Sequence, residues 1–581
     1  MIAPNFEKLM ESVGDSGRHQ HLLFWLFVVP INFLIPWVAL VPIFMVSTPS
    51  HWCHVPGRPA NMTVQEWKAL TIPRETKDGQ EVFSSCSQFN VTLDLMMTID
   101  LTSDISGLVQ TFNSTYGIIS CQSGWDYNHT DYDTTLSMDR NWVCDADSQG
   151  ANWISVGLAG NVVGTLVFNS VSDFLGRRPA IVVATMMYAV FGLVRLYVEN
   201  YFWMMLAMFL ASTSFPPVLE LVLIITLEQV SPGLRARITS TSFLLWTTGM
   251  CALPLLAWLT RDWQMLGLIT TLPFFLVILC WWLLPESPRW LLSRDRLEEC
   301  ATLMRTIARR NGKPVPKELD DTLKTIAVTQ NTERNYGIVQ LFKYPTVRFR
   351  TFLLTGCYTF NNLFYYGLAY NITNVSGNEF LNFFLLGIAE LPSNLMGWGG
   401  AVILGRRWTA AGSFVLASVC ALANAIFLDT GPWATIVLLL ISKVFITISF
   451  LVVYMQCAEV YPTTHRACGT GFSSLVSSCF GIIAPYIAYL AVYGAWLPYI
   501  IICVTGLLGY ICASLLPETL DADLPQSLLD ANNFLTSEKY WSYKGKRLCS
   551  CKAKKMLNSA AAQGHENPAI SGTKIATIDV N

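Results

Sequence analysis

Twelve apolar runs, each about long enough to cross a lipid bilayer, most constrain what this chain of 581 residues can fold into. A helix needs about 20 mostly apolar residues to span the hydrocarbon core. Only 13% of the residues are charged, against about a quarter in a typical soluble protein. The sequence therefore predicts an all-α, multi-pass membrane protein. The runs lie at residues 22–46, 151–171, 179–197, 201–226, 239–260, 264–285, 351–370, 379–403, 409–428, 432–455, 467–490 and 494–516.

The runs sort into two groups of six, separated by a polar segment. Two such halves indicate an internal repeat, and paired bundles are a recurring transporter architecture. The predicted divisions are an N-terminal segment 1–21, a first six-helix bundle 22–285 that includes a large loop 47–150, an inter-bundle segment 286–350, a second six-helix bundle 351–516 and a tail 517–581.

The positive charges of the short loops predict the orientation in the membrane. Three arginine pairs lie in loops on one predicted side of the membrane, and the loops on the other side hold almost no positive charge. These pairs are Arg177 with Arg178, Arg235 with Arg237, and Arg406 with Arg407. Because positive loops stay in the cytosol, we expect both termini in the cytoplasm. The first apolar run is too long for a cleaved signal peptide.

The loop 47–150 has the features of a segment outside the cell. It contains four glycosylation sequons, at Asn61, Asn90, Asn113 and Asn128. It also contains four cysteines, Cys53, Cys86, Cys121 and Cys144. Sequons mark surface loops of secreted segments, and an even cysteine count in an oxidising compartment predicts disulfides. Three pairings are possible, and the sequence does not choose among them.

The stretch from Asn169 to Ala180, NSVSDFLGRRPA, places an acid and two arginines between the second and third runs. A glycine permits the tight turn that adjacent helices need. The arginines either hold the headgroup side of the membrane or pair with acids of neighbouring helices. Since acids accompany both cytosolic loops, we favour a latch made and broken between two conformations. The predicted cytosolic gate contains Asp173, Gly176, Arg177, Arg178, Glu228 and Arg235.

These motifs resemble the major facilitator superfamily and, more narrowly, solute carrier family 22, the transporters of organic cations, carnitine and organic anions. The motifs that carry the likeness are D-x-x-G-R-R at 173–178, SHWCHVP at 50–56, RDW at 261–263, PESPRWLLS at 285–293, YYGL at 365–368, ELPS at 390–393, AEVYPT at 458–463 and LPETL at 516–520. The resemblance implies a twelve-helix fold with a central cavity that opens alternately to either side, and small organic ions as substrates. It also adds Asn169 to the predicted gate, because the family has glycine there. An asparagine would hold the helices apart or form a hydrogen bond between them.

Ionisable side chains inside spans are rare and are functional candidates by default. Glu220 lies in the fourth run and has no evident partner in the sequence. Glu390 lies in the eighth run and Lys443 in the tenth. Either acid can face an ammonium group, but Glu390 and Lys443 are equally well explained as a structural ion pair.

Aromatic faces attract cations, so aromatic residues in the spans are also candidates. Tyr365 and Tyr366 match the family's aromatic pair in the seventh span, and Trp246 is a weaker candidate. The resemblance also points to Ser478, because cation-preferring relatives carry Asp and anion or carnitine transporters carry Arg at that place. A cavity without this arginine loses its fixed attraction for carboxylates, and one without the aspartate loses an anchor for cations. Because Glu220 and Glu390 remain, we favour a cationic or zwitterionic amine over an organic anion.

The leading hypothesis is therefore a carrier of small organic cations or zwitterionic amines, such as carnitine-, choline-, monoamine- or β-amino-acid-like compounds. The expected partners are this substrate, membrane lipid and, unless the membrane potential drives transport, a co-transported ion. We expect no enzyme activity, cofactor, metal site or nucleic-acid partner, and the chain has no phosphate-binding loop for a nucleotide. One alternative is an organic anion exchanger that uses Lys443. Another is a transport-deficient receptor or scaffold, which Asn169, Ser478 and Val402 favour as departures from the family pattern.

Overall fold

The structure is a computed structural model of the chain. It describes residues 6–14, 16–58, 60, 62–77, 80–90, 117–230, 232–316, 318–331, 338–428, 431–462, 465–520, 522, 525 and 528–535. The sequons at Asn61 and Asn113 and most of the tail lie outside these residues.

Twelve helical segments, α1 to α12, match the twelve predicted spans. Their bounds are α1 Arg18–Met45, α2 Ser148–Leu175, α3 Arg177–Tyr197, α4 Tyr201–Leu227, α5 Pro232–Thr260, α6 Trp263–Leu279, α7 Pro345–Tyr370, α8 Glu379–Ile403, α9 Arg406–Ile426, α10 Pro432–Val460, α11 Arg466–Gly481 with Ala484–Tyr489, and α12 Leu497–Ser514. Ten of the described helices are long and apolar enough to cross a membrane. Of the other two, α6 has 17 residues and α7 contains polar residues such as Asn361 and Asn362.

Helices α1–α6 and α7–α12 form two bundles. In the first bundle α1 packs on α5, and in the second α9 packs on α10 and α12. The halves meet where α5 packs on α8 and α2 packs on α11. Small residues allow the closest approaches in a membrane: a Cβ added at Gly164 of α2 would lie 1.9 Å from the carbonyl oxygen of Thr213. The architecture is thus the twelve-helix, two-bundle fold that the sequence predicts.

Helix α1 ends where the segment 47–150 begins, and we call that side of the membrane the loop side. The opposite side, from which α1 begins, is the termini side. On the loop side, the described residues form six short strands: β1 His51–Cys53, β2 Arg74–Lys77, β3 Gln80–Phe83, β4 Ser87–Phe89, β5 Ile118–Ser120 and β6 Trp125–Tyr127. They form three antiparallel pairs, β1 with β6, β2 with β3, and β4 with β5.

Two disulfides, Cys53–Cys121 and Cys86–Cys144, close this segment. All four predicted cysteines are therefore paired, in one of the three pairings that the sequence left open. The sequon residues Asn90 and Asn128 are exposed, as glycosylation requires. The remaining short helices of the segment are Val64–Thr71, Leu136–Asp139 and the 3-10 turn Cys144–Ala146.

On the termini side, a separate small core forms beside the membrane helices. Buried Val13, Cys300, Met304 and Leu323 pack together there. Its helices are Phe6–Val13, Pro288–Ser293, Leu297–Asn311 and Leu319–Asn331. The other described helical turns are Cys280–Leu283, Ile338–Phe342, Asn371–Asn374, Leu490–Val492 and Leu528–Asn533.

Candidate substrate site and termini-side networks

An ion pair lies at the middle of the second bundle. The Nζ atom of Lys443 on α10 lies 2.9 Å from Oε1 of Glu390 on α8. Lys443 is fully buried and Glu390 is 4% exposed. Charges inside a membrane are costly unless they are paired, so each side chain compensates the other. Of the two explanations that the sequence left open, the structure forms the ion pair.

Aromatic side chains surround this pair. The Lys443 ammonium lies 3.2 Å from the ring centre of Tyr365, and the Tyr365 hydroxyl donates to Glu390 at 2.5 Å. The indole of Trp246 on α5 lies close enough to interact with the Tyr365 side chain, and Thr247 donates to Glu390 at 3.3 Å. Helix α5 belongs to the first half, so this cluster spans the interface between the halves. The structure thus brings together predicted residues from four helices, α5, α7, α8 and α10.

Two other predicted residues, Tyr366 and Ser478, have different surroundings. The ring of Tyr366 lies 5.3 Å from that of Tyr365, edge to face, and is half-buried. Ser478 on α11 donates to the carbonyl oxygen of Ser474 in its own helix, at 2.9 Å. Ser478 therefore satisfies its hydroxyl locally, whereas Tyr366 extends the aromatic cluster.

Glu220 lies apart from the ion pair, in the half of α4 nearer the termini side. The side chain of Asn169 on α2 lies close enough to interact with its carboxylate. No lysine, arginine or histidine nitrogen of the described residues lies within 4.0 Å of it. Tyr454 on α10, in the other half, is close enough for electrostatic interaction with it. Asn169, predicted as a gate residue, therefore lies beside a predicted substrate residue across the contact between α2 and α4.

The predicted gate residues lie in two places on the termini side: at the turn between α2 and α3, and at the junction of α4 and α5, which holds Glu228 and Arg235. Arg177 pairs with Asp173 at 3.0 Å, and Glu228 accepts a short hydrogen bond from Ser287. Arg235 donates to the carbonyl oxygen of Leu227 at 3.2 Å. These bonds join elements of the first half and of the segment that follows it.

Glu286 completes this network, although the sequence analysis did not select it. Its carboxylate accepts the backbone N–H groups of Arg177 and Arg178 at 3.0 and 3.2 Å, at the start of α3. A helix N-terminus has unpaired N–H groups and attracts negative charge. Burial raises the pKa of Glu286, while the N–H groups of Ser287, Arg178 and Arg177 oppose that rise. Gly176 permits the contact: its φ is +114°, and an added Cβ would lie 2.4 Å from the carboxylate.

The second half repeats this arrangement at the start of α9. Glu518 accepts the backbone N–H groups of Arg406 and Arg407 at 2.9 and 3.1 Å. Gly405 has a φ of +92°, and a Cβ there would lie 2.3 Å from Glu518. Thr519 donates to Glu459 at 2.5 Å, as Ser287 does to Glu228. The sequence signal for both capping acids was the recurrence of Pro-Glu-Ser at 285–287 and Pro-Glu-Thr at 517–519 after the sixth and twelfth spans.

With this geometry established, comparisons with known proteins define the class. Residues 106–526 match the family described as sugar (and other) transporter, so the chain is a membrane transporter of that family. It also resembles the inward open conformation of the xylose transporter XylE from E. coli, with a TM-score of 0.51 and 13% identity over 64% of this chain and 87% of that one. This likeness supports the fold.

Closer relatives identify the particular family. The chain is 32% identical to solute carrier family 22 member 7 of Sus scrofa, over 90% of this chain and 96% of that protein. It is 29% identical to the carcinine transporter of Drosophila melanogaster, over 99% and 85%. It is also 29% identical to organic cation transporter 1 of Caenorhabditis elegans, over 91% and 89%. The chain belongs to solute carrier family 22.

Proposed function

We propose that this transporter carries small organic cations or zwitterionic amines across the plasma membrane, with both termini in the cytosol. The observation that carries the proposal is the charge balance of the substrate region. Glu390 is neutralised by Lys443 at 2.9 Å, whereas the side chain that interacts with Glu220 is the uncharged Asn169. The region therefore has one uncompensated negative charge, which attracts a cation and repels a carboxylate.

The aromatic groups support the same substrate class. Tyr365, Tyr366 and Trp246 present rings at the interface between the halves, where a substrate has to pass. A protonated or quaternary amine gains about 0.5–2 kcal/mol over such a face. The names of the relatives from Drosophila melanogaster and Caenorhabditis elegans, a carcinine transporter and an organic cation transporter, agree with this class. An organic anion exchanger is disfavoured because Lys443 is already paired.

Transport would proceed by rocking the two bundles about this region. The halves are joined on the loop side, where Ser155 donates to the carbonyl oxygen of Ile482 at 3.0 Å and Tyr486 donates to Asn152 at 2.7 Å. Opening toward the loop side breaks these bonds, and we assign the termini-side networks to closing the opposite mouth. A cation entering a cell at about −60 mV gains roughly 1.4 kcal/mol, scaled from about 2.3 kcal/mol per 100 mV.

The test is uptake of labelled choline, carnitine, histamine, β-alanine and p-aminohippurate into cells that express the chain. We expect accumulation of at least one amine, and a loss of about tenfold or more with Glu220→Gln at unchanged surface level. Glu220 gives a cleaner test than Glu390, because removing Glu390 leaves Lys443 buried without compensation.

The matched control is Glu199→Gln, which removes an exposed carboxylate on the α3–α4 loop and should leave uptake unchanged. Accumulation of p-aminohippurate alone would contradict the charge argument. Absence of uptake of every compound, despite normal surface expression, would favour the receptor alternative.

A further inference from the structure

A cavity of about 690 Å³ lies on the loop side, between the segment 47–150 and the ends of helices from both halves. Ser47 at the end of α1 and Tyr132 of the loop segment line one part of it. Tyr370, Glu379 and Pro485 of the second half line another part. A substrate approaching the central cluster from the loop side would meet this cavity first.

The lining of the cavity is strongly acidic. Its carboxylates are Asp131, Asp145, Asp147 and Glu379, and no lysine or arginine of the described residues lines it. A concave surface with charges of one sign raises the local concentration of the opposite ion. The cavity is therefore suited to a cation.

Glu379 is the most enclosed of these acids. It accepts a hydrogen bond from Ser47 at 3.0 Å and a short one from Tyr132. Both donors are uncharged, and Asp131 lies close enough to repel it. A carboxylate has about four acceptor sites, so Glu379 retains capacity for a further, charged donor. Two neighbouring carboxylates without a cation are more stable with one bound between them.

Tyr370 provides an independent indication of a ligand. It lines the cavity and is only 4% exposed, yet its hydroxyl has no hydrogen-bond partner among the described residues. Leaving a buried polar group without a partner is destabilising. Its ring stacks on Tyr366 at 6.0 Å, and Tyr366 contacts Tyr365 at the ion pair. A series of three aromatic rings thus leads from the cavity to the central cluster.

We propose that the loop-side cavity is a second binding subsite for the transported amine. This inference rests on the proposed function and adds a place where the substrate is held before it reaches the central cluster. The ammonium group binds at Glu379 and Asp131, and a polar group of the amine pairs with the Tyr370 hydroxyl. Glu379 also joins the halves through Ser47, so Asp131 and Tyr370 are the residues that report on the subsite without disturbing that contact.

The experiment measures equilibrium binding of labelled choline, histamine and β-alanine to the purified full-length protein in lipid nanodiscs. In the Glu220→Gln variant, which disables the proposed central site, we expect weak, saturable binding to remain for the amine that is transported. Adding Asp131→Asn and Tyr370→Phe to that variant should weaken this binding about tenfold or more. In the otherwise unaltered chain the same two substitutions should raise the KM for uptake and leave the maximal rate unchanged.

The control is Glu75→Gln, which removes an exposed carboxylate on the β2–β3 hairpin and should change neither quantity. If the Glu220→Gln variant shows no saturable binding, or if Asp131→Asn with Tyr370→Phe leaves it unaltered, the subsite is overturned. Amine uptake by the unaltered chain would then still support the proposed function. If the unaltered chain neither binds nor transports any of the three compounds, both proposals fail.

Discussion

The two halves place a glycine, two arginines and a distant carboxylate in the same arrangement, but they pair the first arginine differently. In the first half Arg177 pairs with Asp173, whose side chain is 73% exposed. In the second half Val402 occupies the place of Asp173, and Arg406 pairs with Glu459 at 3.1 Å, both side chains being at most 20% exposed. The helix-capping acid is thus common to both halves, whereas the arginine pair is exposed in one and sheltered in the other.

This difference separates two roles for charge at a helix turn. An exposed ion pair contributes about 0–1 kcal/mol, whereas breaking a buried pair costs about 3–5 kcal/mol. The exposed pair of the first half can therefore open and close at little cost, as a gate requires. The sheltered pair of the second half is better suited to holding α9 in place.

The largest expected effect on stability concerns the capping carboxylate, which both halves have. Gly405→Ala and Gly176→Ala force a side chain into a positive-φ conformation, at about 1–3 kcal/mol, and displace the capping carboxylate. We expect Gly405→Ala to lower the melting temperature in detergent more, because Glu518 is fully buried and Glu286 is not. Gly412→Ala is the control, since a Cβ at that helical position meets open space. Melting temperatures equal to that of the control would refute the capping role.

A smaller effect on stability is expected for the arginine ion pairs, in which the two halves differ. Glu459→Gln should cost about 2 kcal/mol, between the values for exposed and buried pairs, because Arg406 then lacks its partner. Asp173→Asn should cost less than about 0.5 kcal/mol and become undetectable in 1 M salt, which screens exposed charges. Thermal unfolding at low and high salt measures both variants. Equal losses would mean that exposure does not distinguish the two pairs.

The smallest expected effect on stability concerns the contact between Asn169 and Glu220. The matching position in the second half is Trp398, an exposed aromatic residue. Asn169→Gly removes this side-chain contact, and we expect a severalfold change in transport rate with little change in surface expression. Ser170→Gly is the control. It also introduces a glycine into α2, which lowers stability by about 0.5–1 kcal/mol, but at an exposed neighbouring position. Matching rates for the two variants would contradict a role of Asn169 in transport.

Much of the fold could be predicted because local sequence encodes it. A run of about 20 apolar residues must form a helix in lipid, where each backbone group has to be paired internally. The position of the turn between α2 and α3 could also be predicted, because Gly176 directly precedes the arginine pair. The disulfide partner of Cys53 was not, because it depends on how distant strands pair. The capping role of Glu286 was missed for the same reason, as its partners lie more than 100 residues earlier.

The sequence by itself determined which side chains are available: twelve spans, the few charged residues within them, and the motifs that mark the family. Only the tertiary structure decided which charges meet. Glu390 and Glu220 are both acids within apolar runs, yet one pairs with Lys443 and the other lies beside the uncharged Asn169. The reason is physical: electrostatic energy depends on distance in space and on the surrounding dielectric, and both are set by helix packing rather than by separation along the chain.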